Sequence, residues 1–207
     1  MTHVYFVRHA EADNNVRDDL SRPLTEKGMR DRTRVSHYLK DKGITAIVSS
    51  PYKRAHDTVA EFAQSAGLDI IHMEQFQERR IADVPIEDFA AFSKQQWADF
   101  SYKREGGESL GEVQQRTVKA LFDLIETHPS ESIVIGTHGT ALSTVLHYFD
   151  KTFLFDSFTE IAGLMPWIVY FQFDGNTCVA IRRINLFDPT PRCLFPRFQT
   201  ASCLSPS

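Results

Sequence analysis

Two apolar runs in this chain each end on a histidine. Val4-Tyr5-Phe6-Val7 leads into Arg8-His9, and Ile133-Val134-Ile135-Gly136-Thr137 leads into His138-Gly139. Short continuous apolar runs of this kind read as buried strands. In α/β sheets ligands bind beyond the carboxyl ends of the strands. A histidine at each of two strand ends, one beside an arginine, therefore points to a single anion-handling site.

The rest of the chain alternates strand and helix around these two runs, which predicts an α/β fold: a three-layer sandwich with a mostly parallel central sheet flanked by helices. A helix is expected from about residue 25 to 42, capped by Thr25 after the turn at Pro23. A strand over 44–49 runs into Ser50-Pro51, read as an N-cap followed by a proline at the first helical position. That helix carries Lys53 and Arg54 in its first turn, buries Ala55, Val59, Phe62 and Ala66, and ends at Gly67. Residues 70–108 are less regular. A helix over 87–100 would carry Phe89, Phe92, Trp97 and Phe100 as packing residues. Ser109 to Glu112 forms a capping box that opens a helix with Val113, Thr117, Ala120, Leu121 and Leu124 buried. A short helix over 140–149 follows the second histidine, and strands over 167–173 and 178–184 flank Asp174-Gly175-Asn176 as a hairpin.

One catalytic domain is expected over residues 1–185. Residues 186–207, with Pro189, Pro191, Pro196 and Pro206 among serines, read as a C-terminal tail without regular structure. The formal charge of -4 argues against general nucleic-acid binding, which needs a basic face to displace counterions. The first apolar run meets Arg8 too soon to be a signal-peptide core or a membrane span, so a cytoplasmic location is expected. Cys178, Cys193 and Cys203 are odd in number and lack metal-ligand spacing, which reads as free thiols.

These elements bring Arg8 and His9, Arg54 and His138 toward one place. Helix N-termini offer free N–H groups, and arginine offers a planar fork of donors matched to phosphate oxygens. Two arginines and two imidazoles repel one another when the site is empty, yet suit a dianion. A cation in the first turn of a helix opposes the helix dipole, so Arg54 is better placed with an anion nearby. His37, His56, His72, His128 and His147 show no partner spacing and read as ordinary surface or core histidines.

In this order the motifs resemble the histidine phosphatase superfamily, in the branch that includes the cofactor-dependent phosphoglycerate mutases. The resemblance rests on Arg8-His9-Ala10-Glu11 with Asn15, on Arg22-Pro23-Leu24-Thr25-Glu26-Lys27-Gly28, and on Ser49-Ser50-Pro51-Tyr52-Lys53-Arg54-Ala55 with Asp57-Thr58. It continues through Gln77-Glu78-Arg79, Gly107-Glu108-Ser109-Leu110 and Thr137-His138-Gly139, covering residues 3 to about 150. It implies a phosphoglycerate mutase-like fold and catalysis in which His9 attacks phosphorus and carries the group as phosphohistidine until water releases it. It further implies that Arg8, Arg54, His138 and Asn15 hold the phosphate, and that Glu78 protonates the leaving group, with Glu11, Asp13 and Glu74 as competing acids. An imidazole attacks when neutral, a state that neighbouring positive charge favours. A carboxyl facing a phosphate dianion is biased toward its protonated form, and fixed cationic donors stabilise the transferring group. No metal or other cofactor is implied.

Ala10 and Ala82 stand where the family often has glycine. The segment after Glu78 is short and lacks the Arg/Lys/Pro-rich pattern with which phosphoglycerate mutases grip the substrate carboxylate, which favours a phosphomonoester hydrolase over a mutase. Arg79, Arg80 and Lys94, mixed with aromatics, are candidates to contact the rest of the substrate. The expected substrate is a small phosphorylated metabolite or a phosphoprotein, with neither nucleic acid nor membrane as a partner. The rivals are a mutase and a phosphate-binding or protein-interaction module without turnover.

Overall fold

The two histidine-ended strands lie side by side at the centre of one six-stranded sheet. The structure is a computed structural model that describes residues 1–83 and 86–188. In chain order the elements are β1 (Thr2–Arg8), α1 (Glu26–Leu39), β2 (Ala46–Ser49), α2 (Lys53–Ala66), β3 (Ile70–His72), α3 (Phe89–Ala98), α4 (Leu110–Thr127), β4 (Ser132–Thr137), α5 (Gly139–Phe149), α6 (Phe155–Glu160), β5 (Trp167–Asp174) and β6 (Thr177–Ile184). The sheet order is β3-β2-β4-β1-β5-β6. β1, β2, β3 and β4 pair in parallel, whereas β5 pairs antiparallel with both β1 and β6.

Alternation along β1 shows why a continuous apolar run belongs at the centre. Val4 and Phe6 face a core built with Leu121 and Leu124 of α4 and Leu142 and Val145 of α5. Tyr5 and Val7 face the opposite core, built with Val35 and Leu39 of α1 and Val59 and Phe62 of α2. Successive strand residues point to opposite faces, so a strand covered on both sides must be apolar at every position. Burying each such side chain contributes roughly 1.5–3 kcal/mol. The α/β, three-layer, mostly parallel architecture expected from the sequence is the one observed.

Most of the expected helix ends hold. The Thr25 side chain accepts from Gly28 N at the start of α1, and Ser109 and Glu112 form the capping box of α4. Gly67 closes α2 in the left-handed conformation at φ 66°. Gly28 has a packing reason as well, because a Cβ there would lie 2.1 Å from the Glu11 carbonyl oxygen. The first turn of α1 thus rests directly on the backbone that follows His9.

The start of α2 differs from expectation. Its first helical residue is Lys53 and its N-cap is Tyr52, without a side-chain cap. Ser50 and Pro51 precede the helix, because the Ser50 hydroxyl is engaged by His138 at 2.8 Å and by the Tyr52 N–H at 3.2 Å. The irregular span after α2 also holds the three-residue strand β3 and a 3-10 turn over Glu74–Phe76. α6 has only six residues and no side-chain cap, so it left no periodic signal.

Where the expected tail begins, Leu186 packs on the core beneath α1, and the Phe187 ring lies under Arg34 at 4.8 Å and Lys27 at 5.8 Å. Residues 189–207, including Cys193 and Cys203, lie outside the described residues. Cys178 is a free thiol whose pKa is pushed up to about 11 by burial. Among the described residues, no helix is long and apolar enough to cross a membrane.

Candidate active site

Parallel pairing of β1 with β4 sets Arg8 opposite Thr137, and the His9 N–H donates to the Thr137 carbonyl at 3.0 Å. The residues just past the two strands therefore meet. The His9 and His138 rings stand edge to face with centroids 5.3 Å apart. Arg54 joins them from the first turn of α2, only 3% exposed.

The ring nitrogens of the two histidines are sorted by their neighbours. His9 Nδ1 lies 2.7 Å from the Ala10 carbonyl oxygen, which can only accept, so Nδ1 carries the proton and the Nε2 lone pair is free. Ser50 Oγ accepts from the Tyr52 N–H, and among the described residues its own proton has no other acceptor than His138 Nε2, to which it is therefore assigned. This tautomer, assigned from the hydrogen-bond network, leaves His138 Nδ1 as a buried donor with no partner. Burial, then the positive charges of Arg54, Arg8 and Arg22, hold the His9 pKa down to about 3, against the pull of the Ala10 carbonyl. His138 is lowered as well, first by burial and then by Arg54. Both imidazoles are neutral at ordinary pH.

Arg8 Nη1 donates to the carbonyls of Ile161 at 2.7 Å and Leu164 at 3.2 Å, while its buried Nε has no partner. Its guanidinium lies against Gly139, where a Cβ would sit 3.2 Å away. The Glu78 carboxylate is held by backbone N–H donors from Arg79 at 2.8 Å, Thr140 at 3.0 Å and Ala141 at 3.2 Å. Two of these belong to the first turn of α5, so a carboxylate of the chain itself occupies the N–H groups expected to face a phosphate. Glu78 thereby joins the cluster through the helix that begins just after His138.

The other candidates are placed differently. Asn15 is exposed, with its amide donating to Asp13 at 2.8 Å, and among the described residues no hydrogen bond ties it to His9 or Arg54. Arg79 is buried instead of lining an open face. It donates to Gln96 and lies over the Phe92 ring at 5.4 Å. Arg80 pairs with Asp83 at 2.5 Å, and Lys94 is exposed on α3. His56 and His72, set aside in the sequence, do meet: His56 Nδ1 lies 3.0 Å from His72 Nε2 at the surface.

Several residues at the site carried no role in the sequence reading. Asp19 is one: Arg54 Nη1 donates to its carbonyl at 2.7 Å, and its carboxylate faces Arg54 at 3.4 Å and Arg22 at 3.1 Å. Arg22 and Ser50 sat inside quoted motifs, so their signal was present. Asp19 reads as an ordinary acidic turn residue and gave none. An incoming oxyanion competes with the Asp19 carboxylate for Arg54. Asp19→Asn keeps the backbone acceptor and removes that charge. The expected result, read by calorimetric titration with inorganic phosphate, is binding about 2- to 5-fold tighter, the value of one exposed ion pair. Weaker binding would mean that the carboxylate holds Arg54 in place for the ligand.

Comparison with known proteins agrees with this geometry. The sequence model described as histidine phosphatase superfamily (branch 1) matches residues 4–179. The chain is 30% identical over 173 residues to PhoE of Bacillus subtilis, an uncharacterized phosphatase, covering 80% of each chain. It is 31% identical over 158 residues to GpmB of Cronobacter sakazakii, a probable phosphoglycerate mutase, covering 70% of this chain and 74% of that one. Among solved structures, YhfR of Bacillus stearothermophilus superposes with a TM-score of 0.73 at 27% identity, over 86% of this chain and 94% of that one. A mycobacterial glucosyl-3-phosphoglycerate phosphatase, solved with inorganic phosphate, shares the fold with a TM-score of 0.69 at 18% identity, over 88% of this chain and 95% of that one.

Proposed function

The chain belongs to the histidine phosphatase superfamily, branch 1, and on that premise we propose that it hydrolyses phosphomonoesters without a metal, through a phosphohistidine at His9. The observation that carries this reading is the state of His9: neutral, with Nδ1 tied to the Ala10 carbonyl and Nε2 free beside Arg54, Arg8 and His138. A neutral imidazole with an oriented lone pair is the form that attacks phosphorus. Binding alone needs no such nucleophile.

In the first step the Nε2 lone pair of His9 forms the N–P bond as the bond from phosphorus to the ester oxygen breaks. The Glu78 carboxylate takes a proton from the arriving monoanionic ester and passes it to the departing oxygen. In the second step water attacks phosphorus, Glu78 takes back a proton, and the N–P bond breaks to free phosphate and neutral His9. Arg8 Nε and His138 Nδ1 are buried donors without partners, available to the phosphate oxygens in both steps. Arg54 becomes available as it exchanges Asp19 for the ligand, and Asn15 contributes if its amide turns from Asp13. Fixed donors of this kind stabilise the charge on the transferring group, the dominant contribution to phosphoryl transfer. The substrate in this reading is a small phosphorylated metabolite or a phosphoprotein met in the cytoplasm, with the exposed Arg80 and Lys94 near its other end and the buried Arg79 without a part in its binding.

The names of the GpmB relatives favour a second reading, transfer of phosphate between hydroxyls of phosphoglycerate. Product analysis separates the two. A panel of phosphomonoesters that includes 3-phosphoglycerate, incubated with chelator present, is expected to yield free phosphate and the free alcohol. An isomerised phosphoglycerate with little free phosphate would make the protein a mutase. Loss of phosphate release on adding chelator would end the metal-free mechanism.

A further inference from the structure

Glu78 sits on no helix or strand, but in the irregular stretch between the 3-10 turn at Glu74–Phe76 and α3. A general acid must be held to within a fraction of an ångström of its task, and irregular backbone does this only when it is tied down. The ties come from α4 and the residue just before its cap. Arg116 spends all five guanidinium N–H donors there. Nη1 donates to the carbonyls of Gln75 at 2.7 Å and Gln77 at 3.1 Å, and Nη2 to the carbonyl of Glu78 itself at 3.4 Å. Nε and the second Nη2 proton go to the two carboxylate oxygens of Glu108, at 2.7 Å and 3.0 Å. Glu108 Oε2 also accepts from the Arg80 N–H at 2.9 Å. The stretch over 75–80 is therefore gripped by its carbonyls on one side of Glu78 and by an N–H on the other. Thr117 adds a bond to the Gln75 carbonyl at 3.2 Å, and Thr137 one to that of Phe76 at 2.9 Å.

We propose that Arg116 and Glu108 are positioning residues for the general acid, acting as one clamp that holds the Glu78 backbone so that its carboxyl meets the leaving oxygen. The inference rests on the acid role assigned to Glu78 above. Five donors in a fixed planar fork reach three carbonyls and a carboxylate at once, which the point charge of a lysine does not do. Neither residue touches the phosphate in this account. Their loss affects proton delivery and leaves phosphate binding and nucleophilic attack in place.

The test uses two esters that differ in their need for a proton. An alkyl phosphate requires one on its leaving oxygen, while p-nitrophenyl phosphate expels a stabilised anion. In Arg116→Lys and Glu108→Gln, kcat/KM for the alkyl ester is expected to fall about 10- to 100-fold, a part of the roughly 10²- to 10⁴-fold that a general acid contributes. The p-nitrophenyl ester is expected to fall less than about 3-fold, and Glu78→Gln to show the same discrimination more strongly. Because both esters are measured on one preparation, any loss of folded protein cancels from their ratio. Parallel losses on both esters in the clamp variants, or no loss on either, while Glu78→Gln discriminates, would overturn the clamp and leave the acid assignment standing. If Glu78→Gln itself fails to discriminate, Glu78 is not the acid and the clamp falls with it.

Discussion

His9→Ala is expected to lower phosphate release from every ester by about 10⁴-fold or more, the scale on which removal of a covalent nucleophile acts. The same variant is expected to leave the fold and the anion cradle in place. His9 forms one side-chain hydrogen bond, to the neighbouring Ala10 carbonyl, and is partly exposed. Arg8 and Arg54 are anchored independently of it, by the Ile161 and Asp19 carbonyls. The variant should therefore still bind inorganic phosphate, and at least as well as the wild type, because the space left by the ring admits the ion. Two measurements read this prediction: single-turnover phosphate release, and label retained on protein from a ³²P-ester quenched in base, where phosphohistidine survives. Turnover in His9→Ala above about 1% of wild type, or label retained on the variant, would place the nucleophile elsewhere.

A second large effect is expected on stability in mild acid. The folded pKa of His9 is about 3, against a reference value of 6.5, and His138 is also lowered. Between those values the unfolded chain binds protons that the folded chain does not, so stability rises with pH across the window. It is fully present above about pH 6.5 and is lost progressively as the pH falls from there toward 3. Each group weakens the fold by at most about 1.4 kcal/mol per pH unit. From pH 7 to pH 5 the two together predict a loss of roughly 2–4 kcal/mol, read as a falling urea midpoint. In His9→Ala the slope between pH 6.5 and 5 should be about half that of the wild type. Added phosphate should restore much of the loss, since a bound anion offsets the charge of the protonated rings. A midpoint flat between pH 7 and 5, or equally steep in His9→Ala, would show that these histidines do not govern the acid limb.

The parts of the site that were legible in the sequence share a physical reason. His9 and His138 each follow a buried strand with no intervening loop, so identifying the strand locates the histidine, and Arg8 and Arg54 come with their elements. Glu78 was legible only through its motif, since nothing local shows that its carboxylate meets the first N–H groups of a helix more than sixty residues later. Arg116 was invisible for the opposite reason. It lies between Gln114 and Lys119 on the polar side of α4, where a cation reads as solvated, and its five acceptors are contributed by the fold. Ser50 was seen and misread. As the residue before a proline and a helix it fits a cap, but the buried Nε2 of His138, with no other donor in reach, takes the hydroxyl proton. Arg79 was a candidate to contact the rest of the substrate because it is a cation among aromatics, yet the rings of Phe89 and Phe92 and the Gln96 amide give its guanidinium a place inside.

An open sheet carries a risk unconnected with its chemistry, because an unpaired strand edge is a template on which a second chain can add. Here the two outer strands are protected in different ways. β3 has three residues, too few to guide a partner into register. β6 carries Arg182 and Arg183 in succession, and its pairing with β5 slips at Gln172/Phe173, a bulge that bends the outer strand. Both features work against edge-to-edge addition of a second chain to a sheet rich in buried aromatics, while the strand ends that carry His9 and His138 lie away from those edges.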